Sequence, residues 1–155
     1  MNKFLPSNEG VDHINIYSKS SLELGRQLSN FAYAPFICED GKFNSVEGYW
    51  YWLHCRHDDL KSLYGFNAKK FGQSYVTSER NDDEFIRKIK EAIENKINQN
   101  HSIKINLKNS VLPLTHYYYY GDIKNPKVIE LPQYKWIVDC ISEIRKKEHY
   151  EQSRY

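Results

Sequence analysis

The segment Val46-Glu47-Gly48-Tyr49-Trp50-Tyr51-Trp52-Leu53 constrains the fold more than any other stretch of this chain. At 3.6 residues per turn, four consecutive aromatic rings between aliphatic neighbours point in every direction around a helix. A helix that is apolar all round belongs at the centre of a core. Asn44 and Glu47 stand at the spacing of a capping box, with Asn44 as the N-cap and Glu47 at the third helical position. A helix is therefore expected over residues 44–55. Such a helix needs partners on all sides, and 155 residues with 40% hydrophobic content can supply them. No internal repeat or low-complexity linker marks a boundary, so one domain is expected over residues 1–155, with residues 1–10 and 148–155 as flexible tails.

The remaining periodicities give further elements. His13 to Tyr17 alternates polar and apolar residues and reads as a strand. Residues 28–39 read as a loop and a short strand, ended by the Asp40-Gly41 turn signal. Asp58 to Leu63 reads as a short helix, and Asn67 is placed to cap another through Phe71, closed by Gly72. Phe85, Ile86, Ile89, Ala92, Ile93 and Ile97 form an apolar stripe at helical period over residues 82–98. Residues 101–107 alternate Ile103, Ile105 and Leu107 and fit either a strand or a short helix. Leu114 to Tyr120 is strongly β-prone, and Lys127 to Leu131 is its candidate partner. Pro132 opens a last helix, with Trp136, Ile137, Cys140, Ile141 and Ile144 on one stripe, and its charged end from Lys146 is expected to fray. The expected fold class is mainly α with a few short β-strands (α+β). Strands scattered among helices, rather than alternating with them, disfavour a Rossmann-type sheet.

Several function classes are disfavoured. The chain carries 22 basic against 20 acidic residues, so bulk charge does not drive it onto nucleic acid, although a local basic patch remains open. Neither a membrane-spanning apolar run nor a signal-peptide pattern is found, so the expected location is cytoplasmic, without membrane partners. Cys38, Cys55 and Cys140 are odd in number and widely spaced, which fits free thiols in a reducing compartment. His54 and His57 lack a third ligand at metal-site spacing, and no metal is expected. Glycine-rich phosphate loops and nucleophile elbows are missing too.

What carries chemistry is an ordered set in the first half: Leu28-Ser29-Asn30-Phe31, Pro35-Phe36, Asp40-Gly41-Lys42-Phe43-Asn44-Ser45-Val46-Glu47 and Ala68-Lys69-Lys70-Phe71-Gly72. In this order and spacing the set resembles the NADAR (YbiA-like) family. There an LSNF-type loop precedes a proline, a DGK-type turn leads to a helix starting T/S-x-E, and an A-K-x-x-G segment follows. The likeness runs from about Ile14 to Gly72, and the helix over residues 82–98 with Gln99-Asn100 is similar to the family's helix with a lysine and a Gln-Asn ending. Two departures stand out. Gly48-Tyr49-Trp50-Tyr51-Trp52-Leu53-His54 replaces the family's His-Tyr-Phe-Gln-Ala-Gln-Lys, and His116-Tyr117-Tyr118-Tyr119-Tyr120-Gly121-Asp122 stands in place of its Trp-Gly pattern. The chain thus looks like a divergent branch of the kind associated with phage, which would act in the host cytoplasm.

The resemblance implies a compact YbiA-like fold and cleavage of an N-glycosidic bond without a cofactor. The implied substrate is ADP-ribosylated guanine in DNA, whose repair would reverse a DarT-type toxin and evade anti-phage defence. An ADP-ribose-type nucleotide or a riboflavin-pathway intermediate is the alternative. Glu47 matches the family glutamate. A carboxylate suits this reaction because loss of the base leaves positive charge on the anomeric carbon, and its bland role is the capping box. Lys42 is the lysine expected to form a Schiff base with the opened ribose, with Lys69 and Lys70 in reserve; each is otherwise a solvated lysine. Asn30 and Phe31 resemble the family's sugar- and base-contacting loop, with core packing the plainer role for Phe31. Arg26 has the chemistry to bind a pyrophosphate or simply to sit at the surface. Tyr51 and His54 share the helical face of Glu47 at i+4 and i+7. In a strand, His116, Tyr118 and Tyr120 face one side and Tyr117 and Tyr119 the other, one side being core and the other open to a base. Asn30, Lys42, Glu47 and part of residues 116–120 are expected to line one cleft. A nucleotide-binding module without turnover and a small interaction protein with an aromatic surface are the competing function classes.

Overall fold

The computed structural model describes residues 4–122 and 124–153. The chain divides into two compact units: one holds the chain up to Ser29 and from Ile105 onward, and the other holds Asn30–Lys104.

The unit of Asn30–Lys104 is built around the aromatic helix. A hairpin of β2 (Phe36–Cys38) and β3 (Gly41–Phe43) pairs antiparallel, with Phe36 opposite Phe43, and leads into α2 (Val46–Cys55). A 3-10 turn (Asp58–Ser62), α3 (Gly65–Gln73) and α4 (Asp83–Gln99) complete the unit. Trp50 and Trp52 are both buried, as are Tyr49, Tyr51 and Leu53, so α2 is central as its sequence requires. Phe36, Phe43, Tyr49 and Trp52 pack ring against ring, and the Tyr49 hydroxyl donates to Asp40 at 2.6 Å.

Two helix starts differ from expectation. Asn44 is not the N-cap of α2. Ser45 is: its hydroxyl accepts the Gly48 N–H and donates to the Leu63 carbonyl, both at 2.9 Å. Asn44 turns away and donates to the Ser62 carbonyl. Gly48 is needed because the 3-10 turn presses on the helix, and a Cβ there would lie 2.5 Å from the Leu60 carbonyl. Ser45→Ala removes both the cap and the tether to Leu63. It is expected to cost about 1–2 kcal/mol of unfolding free energy in a urea titration, with a cost near zero the contrary result. Likewise Asn67 does not cap α3 but lies inside it, after Tyr64 at the N-cap and Gly65 at φ +59°, and the helix runs past Gly72 to Gln73. Gly72 allows α3 to touch α2, for a Cβ at that position would overlap the Tyr51 ring. Gly72→Ala should therefore lower stability by about 1–3 kcal/mol through overpacking, read as a drop in thermal midpoint.

The other unit starts with α1 (Glu23–Leu28) after β1 (Ile14–Asn15), which pairs in parallel with β4 (Leu114–Thr115). β5 (Tyr117–Tyr120) pairs antiparallel with β6 (Lys127–Glu130), Tyr117 opposite Glu130. The expected strand over residues 13–17 is thus short, and the ambiguous segment 101–107 is helical, α5 (His101–Lys108). A 3-10 turn at Pro132–Tyr134 leads into α6 (Lys135–Ser153), which continues through the segment expected to fray, with His149 bonded to the Lys108 carbonyl. At the other end, Glu9 fixes its neighbours by accepting from the Asn15 N–H, Ser20 and Ser21. Residues 1–3 and 154–155, expected to be parts of the tails, lie outside the described residues. Tyr117 is the core-facing ring of the strand. Its hydroxyl lies 2.6 Å from Nε2 of the buried His13. No helix among the described residues is long and apolar enough to cross a membrane.

Candidate active site

Glu47 sits in the first turn of α2, and its backbone N–H is bonded to the Asn30 carbonyl at 2.9 Å. Because Ser45 caps the helix, the Glu47 side chain has no capping duty. Among the described residues its carboxylate accepts no hydrogen bond and forms no ion pair, and no buried polar atom there lacks a partner. Its oxygens therefore keep some contact with solvent without a protein partner. The residue is only half-buried, yet its dense surroundings push its pKa up to about 7. Lys69 pulls the other way, and the Glu79 charge adds to the rise. The carboxyl group is then poised between acid and base at neutral pH. The Asn30 side-chain amide likewise makes no hydrogen bond among the described residues, so an open carboxylate and an open amide stand on adjoining strands of chain.

The elements around Glu47 hold this arrangement. Lys69 comes from α3, half-buried. Glu79 comes from the segment before α4, where it accepts from the Trp50 indole N–H at 3.2 Å. The imidazole of His54 pins that segment. Its Nδ1–H donates to the Trp50 carbonyl at 2.8 Å, and its Nε2 accepts the Arg80 N–H at 2.9 Å. Both nitrogens are used, so His54 seats the Glu79-Arg80 segment. Tyr51 is buried and packs against Gly72.

The other expected residues fall in different places. Lys42 is exposed on β3 opposite Ile37, which does not fit the desolvated amine that imine chemistry asks for. Lys70 is exposed on α3. Phe31 is half-buried, and its carbonyl accepts the Gly65 N–H at 2.9 Å, so the Asn30-Phe31 pair bridges the starts of α2 and α3. Arg26, His116, Tyr118 and Tyr120 belong to the other unit. Arg26 is exposed and donates to the Ser20 carbonyl. His116 bonds the Ile16 carbonyl, and burial holds its pKa below the usual histidine value. Tyr118 and Tyr120 are on the exposed face of β5.

One group went unread in the sequence. Lys96 is 1% exposed, and burial pulls its amine down to about 7. The signal was present: Lys96 continues the stripe of Ile89, Ala92 and Ile93 at i+7, i+4 and i+3.

Together these observations define a helix-dominated α+β protein with a part-buried, unbonded carboxylate at the start of its central helix. Its fold is that of YbiA. The chain is similar to the NMR structure of the E. coli protein YbiA, with a TM-score of 0.65 and 16% identity over 93% of this chain and 89% of that one. No family model and no curated relative matches the sequence.

Proposed function

We propose that the chain is a NADAR-type N-glycosidase that releases ADP-ribose from a modified base, ADP-ribosylated guanine in DNA being the substrate the motif set favours. The observation that carries this reading is the Glu47 carboxylate, relieved of capping by Ser45, without a hydrogen-bond partner among the described residues, and pushed by burial to a pKa of about 7. The shared YbiA fold supports it.

In this reaction the bond between the anomeric carbon and the base nitrogen breaks, and its electron pair leaves with the nitrogen, which takes up a proton. Ionised Glu47 stabilises the positive charge left on the sugar. Water then adds to the anomeric carbon and gives its proton to Glu47. The Asn30 amide, free to donate and accept, holds ribose hydroxyls. Lys69, close enough for its charge to act on Glu47, rather than the exposed Lys42, is the lysine that supplies positive charge beside the carboxylate.

Incubation with an ADP-ribosylated oligonucleotide tests the proposal. Free ADP-ribose should accumulate with turnover. Retention of the oligonucleotide without release would instead favour a nucleotide-binding module, the reading raised by the altered sequence after Glu47. Cleavage of a riboflavin-pathway intermediate alone would move the substrate to that class.

A further inference from the structure

Three large aromatic side chains on the loop after Asn30 and around the start of α3 face water. Tyr33 is 61% exposed, Tyr64 51% and Phe66 65%. Tyr33 and Tyr64 lean on each other edge to face, with ring centroids 5.2 Å apart and planes at 64°. Phe66 follows at the second position of α3, a helix whose only buried residues are Ala68 and Gly72. Backbone bonds fix the position of this group. The Gly65 N–H donates to the Phe31 carbonyl and the Ala34 N–H to the Asn44 carbonyl, both at 2.9 Å, so the loop carrying Tyr33 is tied on both sides. Tyr33 lies three positions beyond Asn30, a span of at most about 11 Å.

The charges around the rings select an occupant. α3 carries Lys69 and Lys70 and no acidic side chain. Lys70 is exposed four residues after Phe66, on the same face of the helix. Flat rings beside the two lysines of a helix that carries no acidic side chain match a single strand of nucleic acid, whose bases stack while its phosphates meet the amines. Paired bases in a duplex keep their faces stacked on each other and offer none to a ring.

We propose that Tyr33, Tyr64 and Phe66 form a stacking platform for the unpaired bases next to the modified nucleotide, so that the chain takes its substrate from single-stranded rather than duplex nucleic acid. The proposal rests on the glycosidase reading for the reaction but not for strand binding. The test compares wild type with the double variant Tyr33→Ala, Tyr64→Ala, after thermal midpoints show that both are folded. Fluorescence anisotropy follows binding of an unmodified single-stranded oligonucleotide and of a hairpin duplex of the same composition. Release of ADP-ribose is measured from a modified single strand and from the modified nucleoside. The wild type should prefer the single strand. The variant should lose on the order of 30-fold in strand affinity and in kcat/KM on the strand, and keep its rate on the nucleoside. Equal binding of duplex, unchanged strand affinity in the variant, or an equal loss on strand and nucleoside would each overturn the platform. So would self-association of the wild type that the variant abolishes, since the rings would then be a contact between copies. If the wild type releases ADP-ribose from neither substrate, the glycosidase reading fails, and the anisotropy still decides the platform.

Discussion

Glu47→Gln is expected to slow single-turnover release of ADP-ribose on the order of 100-fold or more while the protein stays folded. Glutamine keeps the size of the side chain and removes its charge. The change costs α2 no cap, because the Gly48 N–H is bonded to Ser45 and not to Glu47. Stability should hold or rise. A carboxyl group whose folded pKa is about 7 binds protons more tightly than in the unfolded chain, where about 4.3 is normal. Its ionisation therefore opposes folding as pH climbs from about 4 to 7, and glutamine removes that cost. The same value fixes the pH profile. If the ionised form acts, wild-type kcat/KM should rise through pH 7 and level off above it, and the Gln variant should lack that inflection. A folded Gln variant that releases ADP-ribose at near wild-type rate would take Glu47 out of the mechanism.

Much of the fold could be read from the sequence, and the misreadings share a cause. The central place of α2 follows from composition alone, because no arrangement of Tyr49 to Trp52 on a helix leaves a polar side. The cap of α2 did not follow. Asn44 and Ser45 are both good caps, and the choice is made by the Leu63 carbonyl, eighteen residues away, which takes the Ser45 hydroxyl. In the same way α3 starts where Phe31 accepts the Gly65 N–H and not where Asn67 offers a side chain. Residues 101–107 alternate like a strand, yet Ile103 and Leu107, four apart, are buried while Ile105 is 37% exposed, which is the helical reading of the same letters. The parallel pairing of β1 with β4 joins segments about one hundred residues apart and leaves no local trace. Glu47 and Asn30 were singled out through their motifs, and the fold bonds the Glu47 N–H to the Asn30 carbonyl. The partners of His54 were not legible, because helical phase gives a direction but not a destination. Its ring lies across the turn at Glu79 and Arg80, whose course no periodicity describes.

The second large effect is expected at Lys96. Lys96→Met should raise stability at pH 7 and flatten its dependence on pH. The lysine lies on the buried stripe of α4 with Phe85, Ile89, Ala92, Ile93 and Ile97, and burial brings its amine down to about 7. In the unfolded chain the amine titrates near 10.4. Between those values the unfolded state holds the extra proton. Wild-type stability should therefore climb as pH rises from about 7 toward 10, and the full penalty should apply below 7. Methionine fills a similar volume with no charge to desolvate. Urea unfolding of both proteins at pH 7 and pH 9 measures the effect. A Met variant weaker than wild type at pH 7, together with a wild type that shows no slope, would mean that burial of this amine is fully compensated. The release assay on the same variant answers a different question. The Asn100 side chain ties the Lys96 carbonyl to that of Pro35, on the loop that runs from Asn30. A stabilised but inactive Lys96→Met protein would show that the costly lysine is kept for chemistry at that loop, whereas full activity would make it a position where stability was never optimised.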